Sequence, residues 1–197
     1  MPVICGIVLA AGLGRRIGGP KALLSLEGRT FLERAVRAFS EAGLEVVVVV
    51  NPAVDAAVPK GDLLVGRVLN PDPDQQNGMF GSVRLGVSEA LNLGASGVLL
   101  LPVDLPLITS EDVRAVVTRL SAGAAVVVAT HDGRRGHPIG ISRAVMEEIV
   151  TTPPATTLRD IVRKDPARVV EVAVSVGAIT GVNTKEDLDR VSNRSFR

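Results

Sequence analysis

The stretch Leu9-Ala-Ala-Gly12-Leu-Gly14-Arg15-Arg16-Ile-Gly18-Gly19-Pro20-Lys21-Ala-Leu-Leu24 gathers four glycines and three cations into sixteen residues. Glycines let backbone N–H groups approach phosphate oxygens closely, and Arg15, Arg16 and Lys21 supply the charge that a polyphosphate needs. The stretch follows directly on an apolar run, residues 3–10, that reads as a central strand. In open α/β sheets, ligands bind beyond the carboxyl ends of such strands. The plain alternative is a solvated basic turn. Two common phosphate loops fail against the same text: a Walker loop needs Gly-Lys-Ser or Gly-Lys-Thr, and here Pro20 separates Gly19 from Lys21 while Ala22 follows. A dinucleotide fingerprint needs two residues between its second and third glycines, whereas Gly14 and Gly18 enclose three, and the second strand ends at Asn51 without a carboxylate.

Four later segments carry further chemistry. Leu101-Pro-Val-Asp104-Leu-Pro106 sets one carboxylate just past an apolar run, between prolines that stiffen the turn. Helix capping is its alternative role, although Thr109 and Ser110 are better placed for that. Gln76-Asn77-Gly78-Met79-Phe80-Gly81-Ser82 closes a polar loop, with Ser82 expected at a helix start, as part of a binding loop or as a cap. Gly136-His137-Pro138 follows Arg134 and Arg135, cations suited to an anionic partner unless they mark an exposed hairpin tip. Gly181-Val-Asn183-Thr184-Lys185 precedes a last helix, where Asn183 is an oxygen ligand or the helix cap. His137 lacks the Cys or His partners a metal ligand would have, and His131 reads as an exposed turn residue. No Ser-His-Asp or Cys-His arrangement is evident, so no covalent intermediate is expected.

These groups need elements to hold them. Residues 30–42 place Phe31, Leu32, Ala35, Val36, Ala38 and Phe39 at helical spacing before Gly43, an amphipathic helix. Residues 46–50 read as a buried strand, 62–69 as a third strand, and 70–81 as a candidate binding loop. Residues 82–93, 97–101, 109–120 and 124–129 continue as helix, strand, helix and strand. Such alternation implies right-handed βαβ units in an α/β fold, a Rossmann-like, doubly wound, mostly parallel sheet. After His131 the rhythm changes. Residues 136–142, 143–150, 157–164, 168–174 and 184–191 read as strand, helix, helix, strand and helix, covering the strand ends. No repeat or linker divides residues 1–197, so one domain is expected.

Composition narrows the function classes. Hydrophobic residues make up 46% and charged residues 22%, enough for a packed core. With no Trp or Tyr and four Phe there is no stacking platform for single-stranded nucleic acid, and a net charge of +1 without a basic run gives no footprint for DNA or a membrane surface. The longest apolar runs fall far short of a membrane span of roughly 18 residues. The single Cys5 reads as a buried structural thiol, which fits a reducing cytoplasm.

The first loop resembles the Leu-Ala-Ala-Gly-x-Gly-x-Arg-x-Gly-x-x-Lys signature of sugar and cofactor nucleotidyltransferases, with Ile17 where that family usually has Met. The resemblance extends over the whole chain. The later segments look most like the MobA-like branch, in particular molybdenum cofactor cytidylyltransferases, whose fold is of the nucleotide-diphospho-sugar transferase type. It implies that Leu9, Ala10, Ala11, Gly12, Gly14, Arg15, Lys21, Gly78, Met79 and Ser82 bind the nucleotide, and that Arg15, Lys21 and Asp104 are catalytic. It further implies that Asp104 and Asn183 hold Mg²⁺, and that Gly136, His137 and Pro138 lie against an anionic acceptor such as molybdopterin. Ala11-Gly12, without a second glycine, resembles the pyrimidine form of the loop, implying transfer of CMP from CTP. A molybdoenzyme partner would receive the product. Where cofactor cytidylyltransferases usually read Asp-x-Asp-Thr-Pro-Glu-Asp, this chain has Gly181 for an acid and Lys185 for proline. Two other functions therefore stay open: an NAD(P)H-dependent oxidoreductase of the nicotine blue type, found in the same branch, and a nucleotide- or cofactor-binding accessory protein.

Overall fold

The computed structural model describes residues 3–59, 66–74, 78–153 and 156–194. The first apolar run forms β1 (Ile4–Ala10), and a tight two-residue turn at Glu27 and Gly28 joins β2 (Ser25–Leu26) to β3 (Arg29–Thr30). Then follow α1 (Phe31–Glu41), β4 (Glu45–Val50), α2 (Pro52–Ala57), β5 (Gly66–Leu69), α3 (Met79–Asn92), β6 (Gly97–Pro102) and α4 (Ser110–Ser121). The last third supplies β7 (Val126–His131), β8 (Arg134–Ser142), α5 (Arg143–Thr151), α6 (Leu158–Lys164), β9 (Val169–Ala173) and α7 (Lys185–Arg194).

Seven strands form one sheet in the order β5-β4-β1-β6-β8-β7-β9, with β8 antiparallel to both neighbours and every other pairing parallel. The expected Rossmann-like α/β architecture is therefore present. Five consecutive valines can fill β4 because both faces of a parallel sheet are covered, so no polar alternation is required. The faces still separate by the two-residue period of a strand. Val8 and Ala10 join α1, α4 and α7 on one side, while Cys5, Ile7 and Leu9 join α3, α5 and α6 on the other. The antiparallel β8 follows from the turn before it. Asp132 and Gly133, both at positive φ, link β7 to β8 in two residues, too short for a parallel crossover.

Several expectations shift. The third strand begins at Gly66, and residues 62–65 lie outside the described part. The helix expected from 82 begins at Met79, after Gly78 with φ 58 and ψ −132, so Ser82 is inside the helix rather than at its start. Helix α2 was not foreseen, although its signals are plain afterwards: Asn51 caps it and Pro52 opens it. The last third does more than cover strand ends, because β8 and β9 extend the sheet.

Candidate active site

The carboxyl ends of β1, β4 and β6 sit side by side, with Ala10 paired to Val50 and Leu9 to Pro102. The glycine-rich loop leaves β1 there. Gly14 O accepts hydrogen bonds from the N–H groups of Ile17 (3.0 Å) and Gly19 (3.2 Å), curling the loop around one carbonyl. At φ +60, a Cβ on Gly14 would stand 1.8 Å from Gly19 O, so only glycine fits. Ile17 and Ala22 are buried in the core and anchor the loop from below. Gly12, in contrast, faces open space, with nothing within 4 Å of a Cβ built on it.

A cleft of about 330 Å³ opens above the loop. Leu9, Ala11, Gly12, Gly14, Arg15, Lys21, Gly78, Met79, Ser82, Asp104 and Asn183 all line it, from segments far apart in sequence. Of the expected nucleotide-binding residues, Ala10 alone does not, because it is fully buried under α1. At the cleft floor the Lys21 ammonium donates to Asp104 Oδ2 at 2.8 Å and to Asn183 Oδ1 at 2.7 Å. Both oxygens are free for this because other residues do the capping. Thr109 and Asp112 form the capping box of α4, and at α7 the Asp187 N–H donates to Thr184 Oγ1 while Asp187 Oδ2 accepts from the N–H groups of Asn183 and Thr184. The capping alternatives for Asp104 and Asn183 are thus excluded. The two segments are tied by their main chains, Val182 N–H donating to Asp104 O at 2.9 Å. Gly181 leaves room beside them, with a Cβ there meeting only Asn183 Nδ2 at 3.4 Å and more distant atoms.

The donor set bears on the expected metal. Two oxygens, one carboxylate and one amide, converge on a single cationic nitrogen, and magnesium accepts one or two protein oxygens completed by phosphate and water. The residues fit a hard divalent cation. Among the described residues no group of three or more His, Cys, Asp or Glu is placed to hold a metal ion.

The two arginines of the loop differ. Arg15, expected to meet phosphate, forms an ion pair with Asp74 across the cleft mouth, both side chains largely exposed. Arg16, which also lines the cleft, has no ion-pair partner among the described residues and is the arginine in register with the signature.

Sequence reading missed two buried amides. Asn51 donates from Nδ2 to Ala11 O (3.0 Å) and accepts from Val54 N–H (2.9 Å), fixing the start of the loop. Asn70 donates from Nδ2 to Ser82 Oγ (3.0 Å), and its own Oδ1 is buried without a partner. Both are the first polar residue after an apolar strand, a signal available in the sequence. Ser82 is accordingly a buried wall of the cleft.

The acceptor segment falls elsewhere. Gly136, His137 and Pro138 lie on β8 and do not line the cleft. Gly136 is required by packing, since a Cβ there would stand 2.1 Å from Ala178 O. Arg135 Nε donates to Glu171 Oε1 at 2.7 Å, and Arg134 is exposed. His131 is not an exposed turn residue but half-buried at the end of β7, its Nδ1 2.9 Å from Val174 O. Burial lowers the His137 pKa from 6.5 to about 4, outweighing the opposing pull of the Asp104 carboxylate. Between those values the unfolded chain binds a proton that the folded chain refuses. Stability should therefore fall as pH drops through that window and be unaffected above it. His137→Gln is expected to flatten this acid slope, by at most about 1.4 kcal/mol per pH unit, in thermal melts from pH 7 to 5. Equal slopes in the two proteins would refute the assignment.

No helix of the described residues is long and apolar enough to cross a membrane. Comparison with known proteins agrees with the fold. The protein Rv0371c of Mycobacterium tuberculosis H37Rv superposes with a TM-score of 0.83 at 24% identity, covering 98% of this chain and 99% of that one. Its manganese complex superposes at 0.78. A molybdenum cofactor guanylyltransferase of Acidiphilium cryptum is 30% identical over 194 residues, 93% of this chain and 91% of that protein. A nicotine blue oxidoreductase of Paenarthrobacter nicotinovorans is 30% identical over 160 residues, 77% of each. Residues 6–170 match the MobA-like NTP transferase domain, and with that match spanning most of its length the chain belongs to the MobA-like family of NTP transferases.

Proposed function

We propose that the protein transfers a nucleoside monophosphate, CMP in first place, from an NTP to a phosphorylated acceptor of the molybdopterin kind, with Mg²⁺ as cofactor. The observation that carries this reading is the convergence of Lys21, Asp104 and Asn183 at the floor of a cleft walled by the glycine-rich loop. An oxygen of the acceptor phosphate attacks the α-phosphorus. The new O–P bond forms as the bond to the bridging oxygen of the β-phosphate breaks, and pyrophosphate leaves. No general base is needed, because a phosphate monoester has a second pKa near ~6 and is largely dianionic at neutral pH. The chain's task is alignment and charge stabilisation.

In this reading Lys21 and Arg16, with the backbone N–H groups around Gly12 and Gly14, hold the triphosphate. Arg15 joins them if Asp74 releases it. Asp104 and Asn183 would hold the metal, which supplies charge neutralisation at the phosphates when bound. Ser82, which lines the cleft and is held by the buried Asn70 amide, would offer its hydroxyl to the base. Ala11-Gly12, without the second glycine that accompanies guanine in related loops, supports CTP, whereas relatives named guanylyltransferases support GTP. The acceptor would bind outside the lining of the cleft, on the side of His137, which is close enough to feel the Asp104 carboxylate, and delivery to a molybdoenzyme in the cytoplasm belongs to the same reading. The relative named as an oxidoreductase favours a second reading, NAD(P)H-dependent reduction.

One assay separates these. The protein is incubated with Mg²⁺, molybdopterin and each of the four NTPs while pyrophosphate is measured, and NADPH absorbance is followed in parallel with quinone-like dyes. Pyrophosphate with CTP ahead of GTP is expected. GTP ahead of CTP would reassign the base, and NADPH consumption with no pyrophosphate from any NTP would establish the second reading.

A further inference from the structure

Lys21 Nζ takes the position between Asp104 Oδ2 and Asn183 Oδ1 that a divalent cation would need. An ammonium and a metal ion cannot share those two oxygens, because at such a separation like charges repel strongly in a half-buried site. The Lys21 and Asp104 side chains are only 18% and 25% exposed, so water screens the pair less than a surface ion pair. The charges are also evenly matched. Gly181 supplies no second acid, so one carboxylate faces one ammonium, and a metal entering alone would displace the lysine for a single carboxylate and an amide oxygen. The main-chain segments that carry the two oxygens do not depend on Lys21 for their place. The Val182 to Asp104 main-chain bond and the Thr184/Asp187 cap hold both segments without it.

We propose that Lys21 is a built-in competitor for the metal site: it excludes free divalent metal until the phosphates of a bound nucleotide draw the ammonium away, so metal enters with the nucleotide or after it. The proposal rests on the reading of the cleft as a nucleotide site. Its consequence is an obligatory binding order that also prevents an unproductive metal-loaded enzyme without nucleotide.

Mn²⁺ binding, followed by the paramagnetic resonance signal of the free ion, tests this without turnover. Wild-type protein should bind Mn²⁺ weakly alone and roughly tenfold or more tightly with a non-hydrolysable α,β-methylene analogue of CTP or GTP. Lys21→Met should raise nucleotide-free Mn²⁺ affinity by roughly tenfold. Arg16→Ala removes a charge from the same cleft without touching either oxygen, and a change below about threefold measures the general field alone. Two results overturn the proposal: wild type binding Mn²⁺ as tightly without the analogue as with it, or Lys21→Met gaining no more than Arg16→Ala. Should Lys21→Met fail to fold, Lys21→Gln, which also removes the charge, takes its place in the same comparison. Calorimetry of the analogues keeps the two ideas apart. If neither binds, the nucleotide reading fails, and the Lys21→Met comparison judges metal exclusion on its own.

Discussion

Replacing Asp104 by alanine should lower kcat/KM for nucleotidyl transfer by about 10³-fold or more, equivalent to about 4 kcal/mol of transition-state stabilisation. The reason is the poverty of the site. Asp104 is the single carboxylate beside Asn183 on the cleft floor, and nothing described nearby can substitute for it. The fold should survive, because the Asp104 side chain is 25% exposed and its main-chain link to Val182 does not involve the carboxylate. Losing this half-buried ion pair costs more than the ~1 kcal/mol of an exposed one, a loss that the melt reads directly. The same substitution releases Lys21, so metal-free nucleotide binding should hold or improve while turnover collapses. Steady-state kinetics alongside a thermal melt reads both effects. Persisting turnover in a folded Asp104→Ala protein would remove Asp104 from the chemistry.

The second large effect contrasts two glycines of one loop. Gly14→Ala should abolish nucleotide binding and lower the melting temperature. Its Cβ would collide with Gly19 O, and the left-handed backbone itself costs about 1–2 kcal/mol for a residue with a side chain. Opening the loop around Gly14 O would then scatter the N–H groups meant for phosphate. Gly12→Ala should leave the melting temperature unchanged, since nothing lies within 4 Å of the added methyl. It should nevertheless weaken nucleotide binding by roughly tenfold or more, because that methyl occupies the space where phosphate oxygens would approach the backbone. Calorimetric titration and melts of both proteins decide the matter, and unaltered affinity in Gly12→Ala would place the phosphates elsewhere.

How much of this was legible in the sequence depended on how local each signal was. The loop from Leu9 to Leu24 could be read directly, because glycines, cations and a preceding strand are neighbours in the chain. The parallel core could be read from helix and strand periods. Asp104 and Asn183 could be named, but not their meeting on Lys21, since that contact depends on how the segment before α7 is tied to Asp104, just past β6. Ser82 was misplaced because Gly78, at a backbone conformation open only to glycine, starts α3 one turn earlier than the apolar pattern indicated. Asn51 and Asn70 went unread because a polar residue after a strand looks like ordinary loop until its burial is known. Arg15 was preferred over Arg16, and the structure shows it engaged by Asp74 instead, a contact between residues far apart in the chain. Gly136, expected at a substrate, meets a carbonyl of the segment after β9 that no local pattern announces.

The most direct test follows the label. Protein, Mg²⁺ and molybdopterin are supplied with CTP or GTP carrying ³²P at the α-phosphate, and in a parallel reaction at the γ-phosphate. Label from the α-position should appear in the acceptor and label from the γ-position in pyrophosphate, with neither transfer in Asp104→Ala. Label remaining in the intact nucleotide, or γ-label on the acceptor, would contradict nucleotidyl transfer at this cleft.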